Sequence, residues 1–268
     1  MGREIQFWCS ATDLPWTWAW RAYPGAWLFV AGLVVAYGMI RRRTPGAWPA
    51  WRLWVFTLGV IGVWGAIDWP IGALGSGYLL SVHEVQYLLL GLIAPPLLWL
   101  GLPPQVTLQV RATSRLGVML RFAARPLPGL VAYHLALVVT HVPRLSDALM
   151  PTQLGSLAID LTWLVAGLWF WWVVVAPEGI NRVRAPLRIA YLFGSTVLPT
   201  IPAAFLTFAS YPLYRLYELA PPVGQIAARA DQQTAGLIMK LGADPVIWLA
   251  MGIVFFRWAK AEGDQPSR

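Results

Sequence analysis

Apolar residues in this chain run in long blocks, and most blocks end at a cluster of Arg, Pro or acidic residues. Blocks of roughly 17–25 residues, wound as helices, match the hydrocarbon thickness of a bilayer. They predict seven spans, over residues 24–40, 51–69, 78–100, 127–142, 154–176, 187–209 and 234–258. The fourth is short and carries His134 and His141, and the first stops abruptly at Arg41, Arg42 and Arg43. The fold class is therefore all-α, a polytopic membrane bundle of about seven transmembrane helices. No internal repeat, low-complexity tract or long linker divides residues 1–268 into more than one domain.

Composition agrees with this pattern. Apolar residues make up 58% of the chain and charged residues 12%, about half the charge of an average soluble domain. The 17 Trp, nine Tyr and ten Phe suit belts at the membrane interfaces. Trp16, Trp18, Trp20 and Tyr23 are expected at the outer interface ahead of the first span. A net charge of +8 would point to nucleic acid in a soluble protein. Here the basic residues are split among loops between spans, which points to membrane lipids and no nucleic acid. One alternate set of loops holds fourteen Lys and Arg and the other holds five, so the N-terminus is expected outside and the C-terminus in the cytoplasm.

Several local features add expectations. Residues 1–13, with Arg3, Glu4 and Asp13, lack the continuous apolar core of a secretory signal peptide. The single Cys9 excludes intramolecular disulfides and Cys-x-x-Cys motifs. Residues 111–122 read as a basic amphipathic segment ended by Pro126 and Pro128, suited to a lipid surface or a docking partner. Pro95 and Pro96 in the third span, and Pro199 and Pro202 in the sixth, should kink or break those helices and free carbonyls for other partners. Gly59, Gly62 and Gly65 allow close helix packing, within the chain or in a homo-oligomer.

Ionisable residues inside spans are functional candidates by default, because each is costly in hydrocarbon. All three histidines lie in spans: His83, followed by Glu84, in the third, and His134 and His141 in the fourth. Asp160 lies in the fifth span, and Asp231 and Gln232 open the seventh. Given the expected orientation, these groups gather in the outer half of the bundle. Imidazole, carboxylate and thioether form a copper-compatible set, with Met150 and Met239 as candidate thioethers. The spacing of His83, Gln86 and Tyr87 places them on one helix face. Lys240, mid-span in the seventh helix, is expected to pair with an acid such as Glu84 or Asp160, or to snorkel.

Longer strings carry a resemblance. The run from Ser81 to Pro103, with His83-Glu84-Val85-Gln86-Tyr87 ahead of Ala94-Pro95-Pro96-Leu97-Leu98, resembles the CtaG-type cytochrome c oxidase assembly family, in which a His-x-x-Gln-His helix precedes a Pro-Pro-Leu-Leu segment. His141-Val142-Pro143-Arg144, Gly167-Leu168-Trp169-Phe170-Trp171-Trp172, Leu198-Pro199-Thr200-Ile201-Pro202, Tyr211-Pro212-Leu213-Tyr214 and Asp231 to Met239 are similar to further family signatures in the same order. Tyr87 stands at the family's second His, Asp160 where a His often precedes the aromatic helix, and Lys240 at a common Trp.

The resemblance implies a seven-span protein of the bacterial inner membrane that helps mature a haem-copper terminal oxidase by assisting copper to its binuclear centre. The implied partners are the oxidase subunits and a copper chaperone. The candidate metal ligands are then His83, His141, Asp160 and Asp231, with His134, Met239 and Tyr87 behind them. The chain has no nucleophile elbow, phosphate-binding glycine loop or His-Glu-x-x-His motif, so it reads as no enzyme. Two alternatives stand beside copper handling: an oxidase-associated scaffold without metal chemistry, and a metal-ion or solute transporter with a relay through Glu84, His134 and Lys240.

Overall fold

The computed structural model describes residues 6–110, 114–177, 179–180 and 183–264. Arg3, Glu4, Arg111, Arg182 and Arg268, which enter the charge pattern above, lie outside the described residues. Along the chain run α1 (Pro24–Arg43), α2 (Ala50–Ile67), α3 (Ile71–Gly77), α4 (Leu80–Tyr87), a π-helical turn (Leu88–Ile93), α5 (Ala94–Gly101) and α6 (Gln105–Leu108). Then follow α7 (Arg115–Ala123), α8 (Pro126–Thr140), α9 (Pro143–Leu149), α10 (Gln153–Val175), α11 (Ala185–Ser195), α12 (Thr200–Phe208), α13 (Arg215–Glu218) and α14 (Ala228–Gly263). Among the described residues there is no strand.

Six helical stretches are long and apolar enough to cross a membrane: α1, α2, α4 through α5, α10, α11 with α12, and α14. A seventh arises if α7 and α8, bent by 78° at Ala124 and Arg125, count as one span. At about 1.5 Å per residue the 15-residue α8 falls short of a core about 30 Å thick. Pro126 and Pro128 sit in its first turn and cannot extend the preceding helix, hence the bend. Leu116, Val118, Met119 and Phe122 of α7 are exposed between Arg115 and Arg121, the amphipathic form expected of this segment.

Two spans form the centre. In α4–α5 and in α10, 61% of the apolar window is buried, against 17% in α1. They meet where α10 carries no side chain: a Cβ on Gly167 would lie 2.8 Å from Pro95 Cγ and closer still to the Gly91 carbonyl. Similar contacts join α2 to α5, where Gly59 lies against Leu98 and Gly62 against Ala94. Gly65 faces open space.

Prolines are handled in two ways. In the third span the helix does not break as expected. It widens into the π-helical turn ahead of Pro95 and Pro96 and remains one 22-residue span, a wider turn being one adjustment that accommodates missing proline donors. The sixth span does break, in the turn between α11 and α12, where Pro199 follows. There the His134 Nε2 lies 3.3 Å from the Ser195 carbonyl, and Lys240 Nζ donates to the Thr196 carbonyl at 3.0 Å.

α4 begins without a capping side chain of its own. Asp231, on α14, supplies the cap: its Oδ2 accepts the Leu80 amide at 2.6 Å, and its carboxylate also takes the Ser81 amide and hydroxyl. A neighbouring helix thus fixes where α4 starts. Beside it, residues 6–23 cross the same end of the bundle as an extended strap. The Phe7 and Trp8 amides donate to Gln153 Oε1 at 2.7 and 3.1 Å, and the Ala11 amide to the Met150 carbonyl at 3.0 Å. Trp18 and Trp20 stay exposed on the strap, whereas Tyr23 is buried.

Two outcomes follow. Gly167→Ala is expected to destabilise the protein by about 1–3 kcal/mol through overpacking, while Gly252→Ala in α14, whose Cβ would meet nothing, is expected to be neutral or mildly stabilising. Thermal unfolding in detergent separates the two. Asp231→Ala is expected to cost about 1–2 kcal/mol as a lost cap, read in the same assay, with Asp231→Asn recovering part of the loss.

Candidate functional site

The polar groups at the strap end of the bundle separate into satisfied and unsatisfied ones. Asp160 is satisfied: the Trp8 indole of the strap donates to its Oδ2 at 2.8 Å. Asp231 is taken up by the start of α4. His134 faces the Leu130 carbonyl at 2.8 Å and the Ser195 carbonyl at 3.3 Å. It serves the backbone of its own helix and of the broken sixth span. Met239 is buried beside a cavity of about 10 Å³ with Tyr87, Tyr133 and Lys240, room for about one water. Lys240 pairs with Asp244 one turn on, at 3.2 Å, and not with Glu84 or Asp160. An acid at i+4 costs no reach, whereas the Asp160 carboxylate already binds the Trp8 indole.

His83, Glu84 and His141 are different. α4 presents His83 and Glu84, and the end of α8 presents His141, with relative exposures of 1%, 0% and 7%. His141 Nε2 lies 3.2 Å from Glu84 Oε1, a charge contact that lacks hydrogen-bond alignment. His83 Nδ1, both Glu84 oxygens and His141 Nε2 have no hydrogen-bond partner among the described residues. Buried polar atoms in native proteins are nearly always paired, with protein or with a bound species. The imidazoles lie 6.1 Å apart between ring centroids.

Each ring is fixed from its other side. His141 Nδ1 lies 2.8 Å from the Leu137 carbonyl. A carbonyl only accepts, so this nitrogen carries a hydrogen. The His83 ring faces the Gly75 backbone, and its Nδ1 has no hydrogen-bond partner among the described residues. Anchoring of one imidazole N–H on a carbonyl while the other nitrogen points free is the arrangement metal-binding histidines adopt.

Aromatic rings wall the group in. Trp163 of α10 lies 4.8 Å from His83 and 5.9 Å from His141, and its indole N–H donates to Thr140 Oγ1 at 2.8 Å. The Tyr214 hydroxyl donates to the His141 carbonyl at 2.7 Å and the Tyr217 hydroxyl to the Gly75 carbonyl at 2.6 Å. Burial pushes the Tyr217 hydroxyl well up, so it remains a donor. α13 is held over the group by Asp147, which accepts the Leu216 amide at 3.0 Å.

Of the candidates read from sequence, the structure brings together His83 and His141 and holds Asp160 and Asp231 to other partners. Tyr87, on the face shared with His83, turns its hydroxyl to that of Tyr133 at 2.6 Å. Gln86 turns its amide to the Ala66 carbonyl at 2.8 Å. Sequence reasoning placed Glu84 beside His83 yet left it out of the ligand set, and it missed Trp163, Tyr214 and Tyr217. Its place inside a span and beside His83 marked Glu84, but as a partner for Lys240 or a relay member. Cys9 adds no ligand: its thiol donates to the Ile67 carbonyl at 3.2 Å, and burial pushes it up, so it stays protonated. Among the described residues no group of three or more His, Cys, Asp or Glu side chains is placed to hold a metal ion.

The chain is similar to an uncharacterised protein of Mycobacterium leprae, 23% identical over 267 residues that cover 91% of this chain and 40% of the relative. A Mycobacterium tuberculosis protein, also uncharacterised, is 26% identical over 266 residues, covering 89% and 39%. The chain thus spans about 40% of the length of these relatives. A heme A synthase of Dinoroseobacter shibae is 28% identical over 214 residues, covering 63% of this chain and 55% of that protein. No solved structure matches. The family described as cytochrome c oxidase caa3 assembly factor (Caa3_CtaG) matches residues 27–261. An all-helical chain with six or seven candidate spans, matched over nearly its whole length, belongs to the cytochrome c oxidase caa3 assembly factor family.

Proposed function

We propose that this chain assists assembly of a haem-copper oxidase by holding a copper ion, as cargo, between His83 and His141. The observation that carries the reading is the pair of buried imidazoles, each with a ring nitrogen that has no hydrogen-bond partner among the described residues. Imidazole suits copper in either oxidation state, and a lone pair with no competing hydrogen bond is free to bind. Bound copper would place a positive charge beside the buried Glu84 carboxylate. The site lies at the strap end of the bundle. With the basic residues concentrated at the opposite ends of α1, α11 and α14, that end faces outward from a bacterial inner membrane. The copper chaperone and the oxidase subunits would then meet this face. The protein acts by binding and hand-over and performs no bond chemistry of its own.

A haem reading, prompted by the heme A synthase relative, fits the geometry poorly. A macrocycle lying between the two imidazoles needs a flat slab of space between them, and the Trp163 ring already stands within 6 Å of both.

Metal analysis after anaerobic Cu(I) loading of detergent-purified protein tests the proposal. The expected result is one copper per chain in the wild type, lost in His83→Ala and in His141→Ala while both remain folded. Asp160→Asn and Asp231→Asn should keep full copper and lose only stability, since each carboxylate serves the scaffold. Copper retained without either histidine, or lost on changing Asp160 alone, would contradict the proposed site.

A further inference from the structure

α14 carries an ion pair, Lys240 with Asp244 at 3.2 Å, whose side chains keep 30% and 28% of their surface exposed. Depth makes that exposure costly. The apolar run of α14 begins near residue 234, so at about 1.5 Å per residue Lys240 lies about 9 Å and Asp244 about 15 Å along it, within a hydrocarbon core about 30 Å thick. Lys240 does not turn back toward the interface. Its Nζ donates to Asp244, one turn deeper, and to the Thr196 carbonyl at 3.0 Å.

The chain itself leaves this patch half finished. Among the described residues Asp244 has Lys240 as its one partner. Pro245, inside the same helix, withholds the amide that would take the Leu241 carbonyl. Lipid tails offer neither donors nor acceptors, so charged and polar groups open at this depth call for protein over them. Helical spacing sets Leu237, Lys240, Leu241, Asp244 and Trp248 within about 100° of one another around the axis. Leu237, Leu241 and Trp248 are exposed, so the ion pair stands in the middle of an apolar stripe.

We propose that this face of α14 is where two copies of the chain meet side by side in the membrane. A second copy is singled out by the charges: one cation and one anion sit a turn apart on one helix. A two-fold axis along the membrane normal sets the two α14 helices parallel, and the same patch must then complement itself. Lys240 of each copy comes over Asp244 of the second copy by the one-turn reach it already uses within its own chain. Two lysines and two aspartates close a neutral group, shielded from lipid by Leu237, Leu241 and Trp248. Close packing of small residues does not compete for this role, since Gly59 and Gly62 of α2 already lie against Leu98 and Ala94 of the same chain. The interface is independent of the copper reading, whose histidines lie at the strap end.

Energy transfer between labelled copies in proteoliposomes tests the interface. Ala261→Cys offers an exposed label site at the far end of α14, and Ala47→Cys one in the loop after α1. α1 packs on α2, whereas α14 packs on α4, α11 and α12. Cys9 is buried and takes no label. The expected result is saturable transfer that is stronger between Ala261→Cys labels than between Ala47→Cys labels. Lys240→Met with Asp244→Leu removes both charges from hydrocarbon, so it still inserts, and should weaken the association about tenfold. Transfer no greater than random crowding, stronger transfer at Ala47→Cys, or undiminished transfer in the double variant would overturn the proposal. Transfer to a labelled oxidase subunit with none between copies would overturn it too, and would give this face to that subunit.

Discussion

A buried carboxylate is the constraint around which the strap end of this bundle is arranged. Glu84 is fully buried on α4, and His141 at 3.2 Å is its charge partner. For that contact to exist, α4 and the end of α8 must be held in register. Asp231 fixes the start of α4 from α14. The Leu137 carbonyl and the Tyr214 hydroxyl hold His141, and Thr140, one residue earlier, holds the Trp163 indole. Behind α4, the side-chain-free surface of Gly167 lets α10 approach the π-helical turn and Pro95 closely.

The other intramembrane polar residues answer to the backbone. A span with prolines leaves carbonyls without donors, and in hydrocarbon each needs a partner from the protein. His134 and Lys240 fill that role at the break between α11 and α12. Asp160 holds the Trp8 indole, and Asp68 accepts the indoles of Trp27 and Trp64 at 2.9 and 2.6 Å, tying α1 to α2. Once these are accounted for, the atoms left over are those of His83, Glu84 and His141, together with Gln86 Oε1 and three indole nitrogens. The distinction between an ionisable residue that satisfies the fold and one the fold leaves unsatisfied is what isolates the site.

Much of the architecture was legible from the pattern of apolar blocks. All-helical organisation, the positions of six spans to within a few residues, the break in the sixth and the close packing at Gly59 and Gly62 follow from length, proline chemistry and residue size. The fourth span was legible only in part, because hydropathy sees the apolar face of α8 but not its shortness or its 78° bend to α7. The π-helical turn was not legible, since a wider turn and a kink answer the same two prolines. At the site, residue type drew attention to His83 and His141, whose rings the structure sets side by side. It could not tell that Asp160 and Asp231 are spoken for, because their partners, Trp8 and the Leu80 amide, lie about 150 residues away in sequence. Glu84 was passed over because its importance lies in the absence of partners, which only three dimensions show.

X-ray absorption at the copper edge of the Cu(I)-loaded protein tests the central claim most directly. If His83 and His141 share one ion, the nearest shell includes nitrogen at about 2.0 Å, with the outer-shell pattern of two imidazoles. A sulfur shell near about 2.3 Å, or the pattern of a single imidazole, would contradict it.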